Sequence, residues 1–336
     1  MATYQDIKGL KVKYLSADPG TLRLGEVWYN STSGTLKATV LSTAAWTSAP
    51  TLSNARTNSA GGGTQTAAFV ATGLNMPLVG TYSPTSEEYD GASWTAGGTV
   101  VTATGYLQGG GTQTAGIIYG GQSPPSAGIT TTQEYDGASW TTGGLMNVSP
   151  VPNVGVAYNG VGGGPQTSSV AVGGGGHPDG SSQTVVQTYD GSSWTISPAV
   201  YPTPVNSGGF SGTDAAGLCV GGVPSTAETL TNEWNGSAFS TGGTLNTGRQ
   251  ENAASGIQTA ALAIGGRSGP GGGSTVVEEY DGSSWSAVPS LGSGFDSAVG
   301  AGTTAASLVA GGQYAPGNAC EEYNGSVTQA QTITVS

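Results

Sequence analysis

One eight-residue phrase recurs along this chain at nearly constant spacing, and that spacing limits the fold more than any single residue does. EEYDGASW stands at 87–94, QEYDGASW at 133–140, QTYDGSSW at 187–194 and EEYDGSSW at 278–285; weaker copies are NEWNGSAF at 232–239 and EEYNGSVT at 321–328. The aromatics before Asp/Asn-Gly are Tyr89, Tyr135, Tyr189, Trp234, Tyr280 and Tyr323, separated by 46, 54, 45, 46 and 43 residues. Such a period suits a blade of several strands and is too long for a short solenoid turn.

A second block precedes each copy: GGGTQTAAFVATG (61–73), GGGTQTAGIIYGG (109–121), GGGPQTSSVAVGG (162–174), GTDAAGLCVGG (212–222), SGIQTAALAIGG (255–266) and GAGTTAASLVAGG (300–312). Each reads as a tight turn, a strand of small and β-branched residues, then a glycine pair. Asp-Gly and Asn-Gly between strands favour a type I′ hairpin. The Tyr before that turn and the Trp after it supply large apolar area to the flanking sheet. Small residues in the first two strands suit a crowded axis where backbones approach closely. With 60 Gly and 17 Pro, long helices are excluded, while 36% hydrophobic residues, seven Trp and fourteen Tyr argue for a packed core. The expectation is an all-β chain.

The order of motifs resembles the kelch repeat of β-propellers, in which a glycine pair, a Tyr-Asp and a downstream Trp recur. Arg56 and Arg249 match the early Arg of that repeat, and the other four units lack it. The resemblance covers roughly residues 42–328 and implies a six-bladed propeller. Five units carry an outer-strand aromatic (Trp94, Trp140, Trp194, Phe239 and Trp285) and the sixth does not. Trp46 is left over, so its strand is expected to complete the last blade and close the ring, with the tail SVTQAQTITVS running over the surface or reaching a neighbour. Seven blades remain open if GEVWYNSTSGTLKATV (25–40) adds a partial one. That segment more closely resembles a short hairpin near the start of tail-fibre, head-fibre and other virion proteins of tailed bacteriophages. Residues 1–41 are therefore expected to form an attachment segment and 42–336 the propeller.

Residues 1–37 hold five basic residues against three acids, a net of +2; residues 38–336 hold three against seventeen, a net of −14. An acidic body of that kind repels nucleic acid. No apolar run of about 20 residues occurs, so neither membrane insertion nor a secretion signal is expected. Cys219 and Cys320 fall at unlike positions and are expected as two buried thiols. The single histidine, His177, cannot supply a metal cluster or a two-histidine mechanism, and the body has only Arg56, Arg249 and Arg267 to hold a carboxylate substrate. Neither an enzyme nor a cofactor is expected. Twelve of the body's acids lie in the repeated phrase, and their regular placement reads as a solvated rim that resists edge pairing.

Segments that differ between units are the loops after each glycine pair. Tyr82, His177, Tyr201, Arg267 and Tyr314 lie in or near them and suit a shallow contact with glycan or protein. The resemblances imply a non-enzymatic phage virion protein, made in the host bacterial cytoplasm and oligomeric on the particle. Its head would dock on other virion proteins and its propeller would contact the host surface during adsorption. The competing readings are a glycan-active propeller enzyme and a purely structural capsid or tail component.

Overall fold

In the computed structural model, the described residues are 12–77, 81–123, 127–147, 159–175, 182–223, 228–269, 271–314 and 316–334. They form strands, turns and loops only, and divide into two compact units, Met1–Ala45 with Asn324–Ser336, and Trp46–Tyr323.

The larger unit contains six four-stranded sheets. The first is Ala60–Thr64, Ala67–Ala71, Thr85–Tyr89 and Trp94–Thr99, paired antiparallel in chain order. The next four begin at Gln108, Val161, Gly209 and Ala253 and repeat that order. The sixth takes Val299–Gly302, Ala306–Ala310 and Cys320–Asn324 from the end of the chain and Ala45–Ser48, which carries Trp46, from its beginning. Trp46 lies over Tyr323 with ring centroids 5.1 Å apart, as Trp94 lies over Tyr89 at 4.9 Å. The arrangement is consistent with a β-propeller.

Second strands are buried on both faces because a sheet packs on either side. Ile118 and Phe69 join a cluster with Tyr135 and Trp140, while adjacent Ile117 joins Tyr119, Ala171, Tyr189 and Trp194. The cluster holding Ala68, Val70 and Tyr89 also holds Leu308, Ala310 and Cys320, so the first sheet packs on the sixth. Cys219 and Cys320 are free and buried, and burial raises both thiols.

At or within one residue of the end of each first strand stands a glycine, Gly63, Gly111, Gly164, Gly212, Gly256 and Gly302, with φ between +88° and +114°, where a side chain would be strained. Just before these, backbones nearly touch: a Cβ on Gly110 would lie 2.4 Å from the Gly164 carbonyl oxygen.

The aspartates of the repeated phrase are exposed as expected, but its glutamates are buried or half-buried and are not a solvated rim. In EEYDG each letter has a different partner. Glu87 and Glu278 are buried and pair with the buried guanidiniums of Arg56 (2.7 Å) and Arg249. Glu87 also accepts the backbone N–H groups of Ser53 and Asn54. The next acid accepts from the tyrosine of the following sheet: Tyr135 to Glu88 and Tyr189 to Glu134, both at 2.5 Å, and Tyr280 to Glu233 at 2.7 Å. Burial and these carboxylates push the three hydroxyls up to about 12. The aspartate caps its own turn, as Asp90 Oδ1 does for the N–H groups of Ala92 (2.8 Å) and Ser93 (2.7 Å). Tryptophan also reaches across: the indole N–H of Trp140 donates to Ser86 Oγ, and those of Trp194 and Trp285 to Thr132 and Thr231. The phrase joins blade to blade because a buried carboxylate needs donors, and the neighbouring sheet supplies them.

The smaller unit is a sheet in the order Lys13–Leu15, Val27–Asn30, Thr35–Leu41, Thr328–Thr332. Asp18 accepts from buried Trp28 Nε1 (3.0 Å), Asn30 Nδ2 (2.7 Å) and Lys37 Nζ (2.6 Å), which hold its carboxyl down to about 2, Lys37 foremost. Asn30 Oδ1 in turn caps Thr32 and Ser33, so Trp-Tyr-Asn reads as a latch on this hairpin. Strand Ala45–Ser48 belongs to the sixth sheet, where the strand of Trp46 was expected. The tail, expected over the surface or on a neighbour, instead adds a fourth strand to the head.

Candidate binding site at the axial mouth

Five residues ahead of each conserved-position glycine stands a residue with positive φ: Asn58, Tyr106, Asn159, Ser207, Glu251 and Ser297, between 51° and 58°. Each donates its backbone N–H to the carbonyl of the one before. Tyr106 donates to Asn58 (3.0 Å), Asn159 to Tyr106 (2.7 Å), Ser207 to Asn159 (2.6 Å), Glu251 to Ser207 (2.5 Å), Ser297 to Glu251 (2.8 Å), and Asn58 to Ser297 (3.1 Å). Left-handed geometry costs a non-glycine residue on the order of 1 kcal/mol or more, and a cooperative ring of hydrogen bonds offsets it.

These residues line a cavity of about 100 Å³ together with Ser59, Leu107, Gly160, Gly208, Asn252 and Ala298. The glycine pairs lie beside the ring, since Gly73, Gly174, Gly222, Gly266 and Gly312 donate to the carbonyls two residues ahead of the next ring member. The variable loops that follow the pairs therefore start next to the mouth.

Among the described residues the mouth has one charged network. Glu251 Oε1 accepts from Arg267 Nη2 at 2.5 Å and Oε2 from Ser297 Oγ at 2.9 Å. The Asp296 carboxyl, 1% exposed, belongs to the residue before Ser297, whose hydroxyl donates to Glu251. Its Oδ1 accepts the Gln313 N–H at 3.3 Å, and its buried Oδ2 receives no donor among the described residues. Burial, then the Glu251 charge, push Asp296 up to about 6. Tyr106 is raised by burial and by Glu251; Tyr82, which lies against Gly105, is raised by burial and by Tyr106.

Of the five residues expected to bind, Tyr82 is half-buried beside Tyr106, Arg267 is held by Glu251, and Tyr314 is 52% exposed against Gly272. Tyr201 corrects the expectation: it is 2% exposed, packed on Phe239 and hydrogen-bonded by Asn232 Nδ2 (2.8 Å), because its strand Trp194–Val205 continues through the presumed loop. His177 lies outside the described residues. Tyr106, Glu251 and Asp296 were not singled out from sequence: ring members such as Tyr106 and Glu251 have no common residue type and are marked only by the glycine five positions on, and Asp296 has no such mark. The rim offers a carboxylate, amides, hydroxyls and a phenol, which suit hydrogen bonding to a polar ligand group. Neither a protein-family model nor a curated protein matches this chain.

Proposed function

We propose that the chain is a closed six-bladed kelch-like propeller on a small attachment unit, displayed on a phage particle without catalytic activity and touching a host-surface glycan or protein through its loop face. The observation that carries the binding reading is the division of labour in the repeat. The recurring acids and aromatics join one sheet to the next, while the residues that vary surround the axial mouth, which Glu251 and Tyr106 line.

The six-membered hydrogen-bond ring and the packing of first sheet on sixth support six blades and closure. Binding is favoured over glycan hydrolysis by the carboxyl geometry. Asp296 is 1% exposed, whereas hydrolysis needs two carboxyls that both reach the substrate. The virion reading rests on the resemblance of the head hairpin to those of phage fibres.

Gold-labelled antibody against the protein is expected to decorate intact particles; label found only with unassembled protein overturns the virion assignment. Full-length protein is expected to be retained on host cells or purified cell-surface polysaccharide. An Arg267→Ala, Tyr314→Ala double variant is expected to lose at least tenfold in retention. Equal retention of that variant removes the loop face from the proposal.

A further inference from the structure

The strand Thr328–Thr332 is one edge of the head sheet, and all five of its residues are exposed. Among the described residues, it is held by its ladder to Thr35–Leu41. From Gly325 to Ser336 the chain carries no charge and no proline, the usual devices that keep an edge from pairing. The opposite edge, Lys13–Leu15, does carry a charge.

Its backbone parity is fixed. Ile333 N donates to Leu36 O at 2.8 Å and Ser42 N to Val327 O at 2.9 Å, and Ala330 stands opposite Thr39. Backbone groups alternate sides along a strand. Val327, Gln329, Gln331 and Ile333 therefore face Thr35–Leu41, and Thr328, Ala330 and Thr332 turn their N–H and C=O groups to the open edge.

The sequence about Ala330 reads alike in both directions: Ser326-Val327-Thr328-Gln329, then Gln331-Thr332-Ile333-Thr334. Antiparallel pairing with a second copy about a two-fold axis at Ala330 sets Gln329 against the partner's Gln331, Thr328 against Thr332, and Val327 against Ile333. Val327 and Ile333 are 54% and 40% exposed without such a partner. Like pairs of this kind stabilise neighbouring strands, and an isologous contact needs a surface complementary to itself. The centre of the palindrome is also a residue whose backbone faces outward, so Ala330 forms a hydrogen-bonded pair with its own copy and Thr328 does so with Thr332.

From these two coincidences we infer that the open edge of the head is a homodimer interface, in which two copies join Thr328–Thr332 antiparallel and make one continuous eight-stranded sheet. The inference is independent of what the loop face binds and of where the protein resides.

The test uses full-length protein. Sedimentation over a concentration series is expected to show two 33.0 kDa copies, about 66 kDa, forming reversibly. Ala330→Pro removes an outward N–H and none bonded to Thr35–Leu41, so it is expected to give monomer with an unchanged far-UV spectrum. Ala330→Cys brings two thiols to a Cα separation of about 5.5 Å, within disulfide range, and mild oxidation is expected to crosslink it. Val327→Cys puts them six residues out of register, about 20 Å apart, and is not expected to crosslink. The buried native cysteines do not compete. Monomer throughout the series, a trimer, equal crosslinking of the two cysteine variants, or a dimer indifferent to Ala330→Pro overturns the inference.

Discussion

The Tyr89 hydroxyl donates to Glu322 Oε1 at 2.7 Å, a bond between residues 233 positions apart that joins the first sheet to the last. Gln65 Nε2 crosses the same seam to the carbonyls of Tyr323 (2.7 Å) and Ser307 (3.3 Å). Gln113, Gln166 and Gln258 make the equivalent bonds at other seams, so the junction between the ends of the chain uses the same parts as those within it. What differs is connectivity: strand Cys320–Asn324 is paired on one side with a strand from the other end of the chain.

Tyr89→Phe is therefore expected to loosen that strand in particular. It leaves Glu322 short of a donor at a cost of about 1–3 kcal/mol, reduced to the extent that water reaches the carboxylate. Amide exchange should accelerate across Cys320–Asn324 and stay unchanged across Thr132–Tyr135. Uniform acceleration through all six sheets would mean that the unit opens only as a whole.

Arg56 and Arg249 stand where the position two before the tyrosine is Glu87 or Glu278. Where that Arg is missing, in the second and third sheets, the position is Gln133 or Gln187. Each of these exchanges two hydrogen bonds with a neighbouring backbone, Thr102 (both 2.9 Å) or Asn147 (2.9 and 3.1 Å). The chain thus carries both a charged and a neutral version of one joint. Arg249→Met alone strands a buried carboxylate and should lose about 3–5 kcal/mol in chemical denaturation. Adding Glu278→Gln should recover part of it, since Gln removes the buried charge and its one carbonyl oxygen still accepts the Asn246 N–H, while the Thr247 N–H loses its acceptor. A double variant no more stable than the single one contradicts this equivalence.

These joints explain what was legible in sequence. Tyr-Asp-Gly, Trp and Gly-Gly keep their letters because each sits in one geometry with one partner, so six copies display them. Trp46 could be matched to the sixth sheet for the same reason, as the letter its own copy lacks. The ring could not be read, because Asn58, Tyr106, Asn159, Ser207, Glu251 and Ser297 are joined by backbone groups that any residue owns. Acids in a strand with low local hydrophobicity looked solvated, and only the neighbouring sheet, about 46 residues away in sequence, supplies the Tyr that covers them. Tyr201 looked like loop because two prolines surround it, yet the strand runs on to Val205 with shifted register against Gln183–Tyr189.

Two opposite pH effects follow from the carboxyls. Asp296 is held up to about 6 against an ordinary 3.8, by burial and by Glu251, with Arg267 opposing. Between those values the folded state binds more protons than the unfolded one. Stability therefore falls as pH rises from about 4 to above 6, by about 3 kcal/mol at the full shift. Asp190 and Asp281, drawn down to about 2 by turn hydrogen bonds, contribute stability that is lost as pH drops below about 4. Thermal melts should peak near pH 4–5. In Asp296→Asn the decline above that peak should flatten while the acid limb stays, and an unaltered decline would remove Asp296 as its cause.

The sharpest steric requirement lies at the axis. A Cβ at Gly110 would meet the Gly164 carbonyl oxygen at 2.4 Å and its nitrogen at 2.8 Å, and neither backbone atom can rotate away. Gly110→Ala must push two first strands apart, and strands in a ring cannot separate on one side without crowding the other. The expected loss is about 1–3 kcal/mol, the usual cost of overpacking. Gly269, in the same unit, has nothing within 4 Å of its added Cβ, so Gly269→Ala should stay within about 0.5 kcal/mol of the parent. Comparing the two in one denaturation series separates axial crowding from the general effect of replacing a glycine. Equal stability of the two variants would show that the inner strands can move apart without cost.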